Sequence, residues 1–342
     1  MVAGTPTTRL ATPVQATTIP LARTGEPRNH NFDYLRLFLA VEVVAMHLNA
    51  GLLRGNLWVP IPPVAAFVAL SGFLIPQSLE RSRSLGHFAW KRALRTLPAL
   101  IPLMLAIGLA YDVKHVERAI IQYLSAGYHS MFQGCVLPLW SLIVEDGLYA
   151  AIALLFVFGS HRTAWLTTAI IGVLLVAQAR IDDHVFDYRF LQTSIGFFVG
   201  NLAFIWKDRL SKVHWAWPAV TLSAAVAGWL AFLGPLVFPL IIGCVVVLAM
   251  TSPQIRWGIP DLSYAIYIWH APIMLALLGP WAMPRDARWV TATVVLTLVA
   301  STLSWYVVEK PALQLKNWRP GSQRDANERR SIETPATTKT AA

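Results

Sequence analysis

The first long apolar stretch, from Phe32 to Gly51, carries four groups that hydrocarbon tolerates poorly: Asp33, Arg36, Glu42 and His47. An ionisable residue inside a membrane span is costly and marks a functional hypothesis. Arg36 and His47 are eleven positions apart. At the helical repeat this is within about 20° of three full turns, so both share one face, ~16 Å apart along the axis. A guanidinium that binds anions and an imidazole that moves protons would then look into the same interior space. The bland alternative is that Arg36 snorkels to the headgroups and His47 bonds a neighbouring helix. Two polar groups on one face of an apolar helix favour a polar cavity. Glu42 lies about 120° away and faces a different neighbour.

Two further clusters could do chemistry. In the apolar run around WSLIVED, Glu145 and Asp146 are adjacent carboxylates, and neighbouring positions on a helix diverge by about 100°, so at most one faces a given partner well. Such a carboxylate either closes a buried ion pair with an arginine or orients the His47 imidazole. In LERSRSLGHFAWKRALRTLP, Lys91, Arg92 and Arg95 precede an apolar helix, and Arg92 and Arg95 share a face at i,i+3 spacing. Paired guanidinium forks suit phosphates. On composition alone, loop charge facing anionic headgroups explains them better.

The elements that position these groups are legible in the composition. The chain has 342 residues, 56% hydrophobic and only 13% charged, with mean hydropathy +0.52; a soluble domain carries about 25% charged residues. Apolar segments near 33–53, 58–79, 97–112, 137–159, 164–180, 188–206, 214–233, 235–250, 260–280 and 288–308 predict an all-α polytopic membrane protein, a bundle of about ten transmembrane helices. Residues 1–30 and 314–342 read as disordered tails, leaving 31–313 as the membrane domain. The net charge of +10 sits mainly in short loops and the tails. Its bias places both termini in the cytoplasm, and it is explained by topology rather than by nucleic acid. The loop at 113–136 could form a surface helix or fold back into the bundle. Cys135 and Cys244 do not make a disulfide framework or a metal site, and no histidine pair has metal spacing, so no metal is expected.

Six motifs in order resemble the acyltransferase-3 family of integral membrane proteins, over about residues 31–313. They are Asp33 with Arg36-x10-His47, the segment Ala66 to Ile75, Arg92-Ala-Leu-Arg95, Trp140 to Asp146, Leu262 to Pro272, and Val308-Glu309-Lys310-Pro311. The resemblance implies transfer of an acyl group, expected to be acetyl, from acyl-CoA (acetyl-CoA) to a hydroxyl of a carbohydrate or small molecule. It makes Arg36 and His47 essential and links Arg92 and Arg95 to the donor. Asp146 stands where the family has a second Glu, which puts the weight on Glu145. Many relatives carry a fused extracellular domain. Here the acceptor is expected to come to the bilayer, or a separate periplasmic partner to complete the task, and the location implied is a bacterial inner membrane.

On this reading His47 is the general base, Glu145 orients it, and Arg36 binds the diphosphate or pantetheine region of the donor or pairs with Asp33. His270 is a second candidate; its neighbours Tyr264, Tyr267 and Trp269 fit a packed structural histidine equally well. Ser71 and Ser141 are read as helix-packing residues, and the loop histidines, His161 among them, as solvated. The rival class is a proton-coupled transporter of a small polar solute or sugar. It expects related halves with helices broken at matching positions, and the Pro-rich breaks at 60–63 and 98–102 have no counterpart in the second half.

Overall fold

The computed structural model describes residues 29–49, 61–110, 139–180, 185–230, 234–278 and 287–317, with a few isolated positions between 114 and 121. The predicted tails and the loop at 113–136, including Cys135, lie almost wholly outside the described residues. All regular structure among the described residues is helical. Among the described residues, ten helices of thirteen residues or more lie in register with the ten predicted segments: α1 Asn31–Leu48, α2 Pro63–Glu80, α3 Leu85–Ala110, α4 Trp140–Val157, α5 Ala164–Arg180, α6 Val185–Ile205, α7 Ala216–Gly228, α8 Gly234–Thr251, α9 Ser263–Leu278 and α10 Ala287–Ser304. By length and composition α2, α3, α4 and the continuous run Ala287–Gln314 can cross a bilayer, and α5, α7 and the apolar parts of α8 and α9 are shorter. The chain is an all-α integral membrane protein.

The surface shows what the bundle meets. Along α3, Leu97, Ile101, Leu105 and Leu109 are exposed at i,i+4 spacing, Ile101 by 70% and Leu109 by 80%. In water such a stripe would be a liability; against lipid tails it is the expected outer face. Polar groups turn inward instead, and Asp33, Glu145, Asp261, His270 and Glu309 are all buried.

Helix-to-helix contact is closest between α2 and α6, and glycine makes it possible. A Cβ at Gly200 would sit 1.9 Å from the Ala69 carbonyl oxygen, and one at Gly72 equally close to that of Phe197. Lipid offers no hydrophobic drive between helices, so close backbone approach at small residues supplies the packing. Around this seam Phe73, Phe197, Phe204 and Phe238 fill one core. Val43, Leu100, Leu103, Tyr264 and Ile268 fill a second one between α1, α3 and α9.

Three local features set the depth of the polar groups. Asn31 pins the start of α1: its Nδ2 donates to Ala249 O at 3.2 Å and Ser252 O at 3.1 Å, and its Oδ1 accepts from Ile255 N at 3.0 Å. Secondly, α3 corrects the reading of the basic cluster as a segment preceding the helix. The helix starts at Leu85 and runs through Pro98 and Pro102, so Lys91, Arg92 and Arg95 lie within its first three turns. Arg95 is paired there with a carboxylate, described below, and Lys91 Nζ donates to Ser82 Oγ at 3.0 Å. Thirdly, α10 passes through a π-helical turn, Trp305–Glu309. Such turns re-aim side chains at functional sites, and here Glu309 is buried while Lys310 is exposed.

Candidate active site

Two polar layers occupy the bundle interior. The outer layer joins α1 to α9. His47 Nδ1 and His270 Nε2 are 2.8 Å apart, and His270 Nδ1 lies 3.2 Å from the Ile266 carbonyl oxygen one turn back on α9. Tyr267 is the next ring inward, 6.2 Å from His270 between centroids, and its hydroxyl shares a 2.6 Å hydrogen bond with Ser141 at the start of α4. Arg189, near the start of α6, is close enough for its charge to act on His47.

The inner layer is made of charge. Arg95 Nη2 donates to Asp261 Oδ2 at 2.6 Å, with the two side chains only 18% and 8% exposed. Asp261 Oδ1 also accepts from Ser263 Oγ at 2.8 Å. Arg36 lies in the field of Asp261, Arg95 and Arg92, and Glu309 in that of Arg95 and Asp261, with its Oε1 accepting from Ser304 at 2.9 Å. Asp261 precedes α9. Burial by itself would raise its carboxyl, but the Arg95 and Arg36 charges and the hydrogen bonds from Ser263 and Arg95 hold it well below the usual carboxylate range.

Glu145 belongs to the space between. Its Oε1 accepts hydrogen bonds from Ser71 of α2 and Tyr149 of its own helix. The Tyr149 ring in turn carries the Arg92 guanidinium 5.5 Å from its centroid, while the buried Arg92 Nε has no hydrogen-bond partner. The carboxylate thus connects through Tyr149 to the inner layer. The ring nitrogen that meets His47 comes from His270, not from the carboxylate expected to orient it. A cavity of about 20 Å³, room for about one water, separates the layers, with Val43, Phe67, Ser141, Glu145 and Tyr267 on its walls. On the other side of Arg92 and Tyr149 an open groove of about 410 Å³ lies between α3 and α4, its walls mostly apolar and its polar groups including Arg92, Thr96 and Asp146.

His47 meets α9 through His270, and the charge of Asp261, just ahead of that helix, acts on Arg36. Arg92 and Arg95 have different surroundings. Arg95 is committed to Asp261, and Arg92 retains an unsatisfied donor. Sequence reasoning missed Asp261 and Tyr149, gave Glu309 a place in the closing motif but no role, and left Ser71 and Ser141 as packing residues although both hydrogen-bond inside the bundle. The available signal was weak: a carboxylate two residues before a helix, and a tyrosine one turn after Glu145. His161 is also not solvated; it is 13% exposed, with Nε2 3.0 Å from Glu80 Oε1.

A hydrogen-bonded imidazole pair, half-buried at His47 and buried at His270, together with a guanidinium cluster in one helical bundle can combine proton transfer with anion binding. Both are capacities that a membrane group-transfer enzyme requires. The acyltransferase domain of the acyltransferase-3 family matches residues 29–309, and the chain belongs to that family. Over 84% of its length it is 29% identical to Nodulation protein 10 of Rhizobium leguminosarum bv. viciae, covering 94% of that protein. It is 27% identical to the provisionally named membrane-bound transacylase BcsY of Komagataeibacter xylinus, over 87% of this chain and 86% of the relative. Peptidoglycan O-acetyltransferase OatA of Listeria monocytogenes is 26% identical over 82% of this chain, which spans 55% of that longer protein. No solved structure matches the chain. The protein is an integral membrane acyltransferase.

Proposed function

We propose that this enzyme transfers an acetyl group from acetyl-CoA to a hydroxyl of a cell-envelope or exported carbohydrate, with all ten helices spanning a bacterial inner membrane and both termini cytoplasmic. The observation that carries the reading is the arrangement of His47 above the Arg36, Arg92 and Arg95 cluster inside one bundle. Anion binding at one level and proton transfer at another suit a donor carrying phosphates on one side and a neutral acceptor on the other. The name of the Listeria relative, which specifies O-acetyl transfer to peptidoglycan, supports the acyl group and the acceptor class.

In this mechanism His47 accepts the proton of the acceptor hydroxyl, whose oxygen attacks the thioester carbonyl. The C–S bond breaks as the tetrahedral intermediate collapses, and the CoA thiolate takes the proton back from the imidazolium. Arg92 meets the donor phosphates first, because its Nε is unsatisfied and it borders the groove between α3 and α4. Arg36 and Arg95 hold the charge deeper in, with Asp261 fixing Arg95. Glu145, through Tyr149, keeps Arg92 in place. A covalent variant places the acetyl group on His47 before the acceptor arrives. Quenching the enzyme after incubation with [14C]acetyl-CoA alone separates the routes: label on His47 supports the covalent route, and its absence the direct one.

The function itself is tested in two ways. Purified enzyme in proteoliposomes is expected to release CoA from acetyl-CoA, and the deletion strain to lose acetyl groups from an envelope glycan by mass spectrometry. A preparation that takes up a solute without consuming acetyl-CoA would establish a carrier instead.

A further inference from the structure

His270 is not used by the chemistry above, yet it is the hydrogen-bond partner of the proposed base. The two rings are nearly coplanar, 16° apart, with centroids 5.0 Å from one another. The 2.8 Å between the nitrogens, with the two ring radii added, accounts for the whole of that separation. The rings therefore meet edge to edge, and the contact is an in-plane N–H···N hydrogen bond rather than a face-to-face stack.

One nitrogen of this pair must carry the proton and the other the lone pair. The far side of His270 decides which. Its Nδ1 faces the Ile266 carbonyl oxygen at 3.2 Å, and a carbonyl only accepts, so Nδ1 holds the hydrogen. In the neutral ring the lone pair then sits on Nε2. His47 must donate to it from Nδ1, which leaves His47 Nε2 unprotonated. We propose that His270 is a positioning residue which, through the relay Ile266 carbonyl, His270 and His47, locks His47 in the Nδ1–H tautomer and presents a basic Nε2 to the acceptor hydroxyl. The tautomer follows from the geometry alone; its catalytic use rests on the proposed acyl transfer. A backbone carbonyl does the fixing here, where many enzymes use a carboxylate. This explains why Glu145 is free to bond Ser71 and Tyr149.

The test reads the tautomer itself. Full-length protein is labelled with 15N-histidine, reconstituted in liposomes and measured by solid-state NMR, with the His47 signals identified by difference from a His47→Ala sample. The wild type is expected to show protonated Nδ1 and bare Nε2 on His47. His270→Gln keeps an acceptor at the position of Nε2 and is expected to preserve that pattern. His270→Leu fills the space without an acceptor, and the Nδ1–H signal is expected to give way to Nε2–H. In acetyl-CoA turnover, the Leu variant should lose at least tenfold in kcat with KM for acetyl-CoA unchanged, and the Gln variant should recover most of it. Protonated Nε2 on wild-type His47, a doubly protonated ring, or identical spectra for the Gln and Leu variants would each overturn the proposal. A wild-type Nδ1–H pattern in a protein that never consumes acetyl-CoA would leave the tautomer standing and remove the acyl-transfer reading.

Discussion

The two layers of the bundle meet the same difficulty, polar groups far from water, in opposite ways. In the outer layer two imidazoles share one hydrogen bond and a backbone carbonyl lies beside the other His270 ring nitrogen, with the charge of Arg189 nearby rather than in an ion pair with either ring. The inner layer keeps its charge and compensates it, with Arg95 on Asp261 and further arginines around them. Isolated buried ions are expensive, and pairing offsets much of that cost only when geometry and extra hydrogen bonds are good. A base has to gain and lose a proton within one cycle, so a permanent ion pair would hold it in one state. An anion site needs lasting positive charge, so ion pairing that leaves one guanidinium donor open is the better solution. Under the proposed function, the difference between the layers is a division of labour between chemistry and binding.

Four measurements break or sharpen this contrast. The largest effect is expected at the outer layer: His47→Ala should lower acetyl transfer by about 10²- to 10⁴-fold, the range of general acid–base catalysis. Its expression and unfolding temperature in detergent should match the wild type. Normal turnover would end the assignment of the base. At the inner layer the main effect should fall on stability. Asp261→Asn leaves the Arg95 and Arg36 charges uncompensated and is expected to cost about 3–5 kcal/mol, read as earlier thermal unfolding in detergent. The sign of its pH dependence follows from the folded carboxyl lying below its ordinary range. Its stabilisation is complete above about pH 4, the unfolded value, and is lost only as pH falls below it. The Asn variant should lack that acid-side loss.

Arg92→Ala should affect binding alone. A charge-assisted hydrogen bond contributes about 1.5–3 kcal/mol, so KM for acetyl-CoA should rise about tenfold to a hundredfold with kcat little changed. A fall in kcat at constant KM would move Arg92 out of the binding layer. The smallest effect is expected at Arg162, whose Nε donates to Glu80 Oε1 at 2.6 Å while its side chain is 57% exposed. Water screens that pair, and Arg162→Ala should cost less than about 1 kcal/mol. An effect as large as that of Asp261→Asn would show that burial does not distinguish the two ion pairs.

The legibility of the molecule divides along the same physical line. Helix positions were readable because apolar runs of sufficient length are a local property, and α1 through α10 follow the predicted segments. The common face of Arg36 and His47 was readable because a helix fixes the angle between residues eleven apart. Boundaries were less so. The break ahead of α3 was placed after Arg95 because charge there resembles a loop, but Arg95 pairs with Asp261 inside the bundle and the helix begins at Leu85.

What the sequence by itself determined was the class, the positions of the described helices and the candidate faces, since each depends on spacing within one segment. What only the tertiary structure decided was the partnership of those faces. His47 meets His270 across 223 positions and Arg95 meets Asp261 across 166, while Gly72 and Gly200 bring α2 against α6. Those pairings depend on how helices rotate and pack against one another. Periodicity along a single helix does not contain that information.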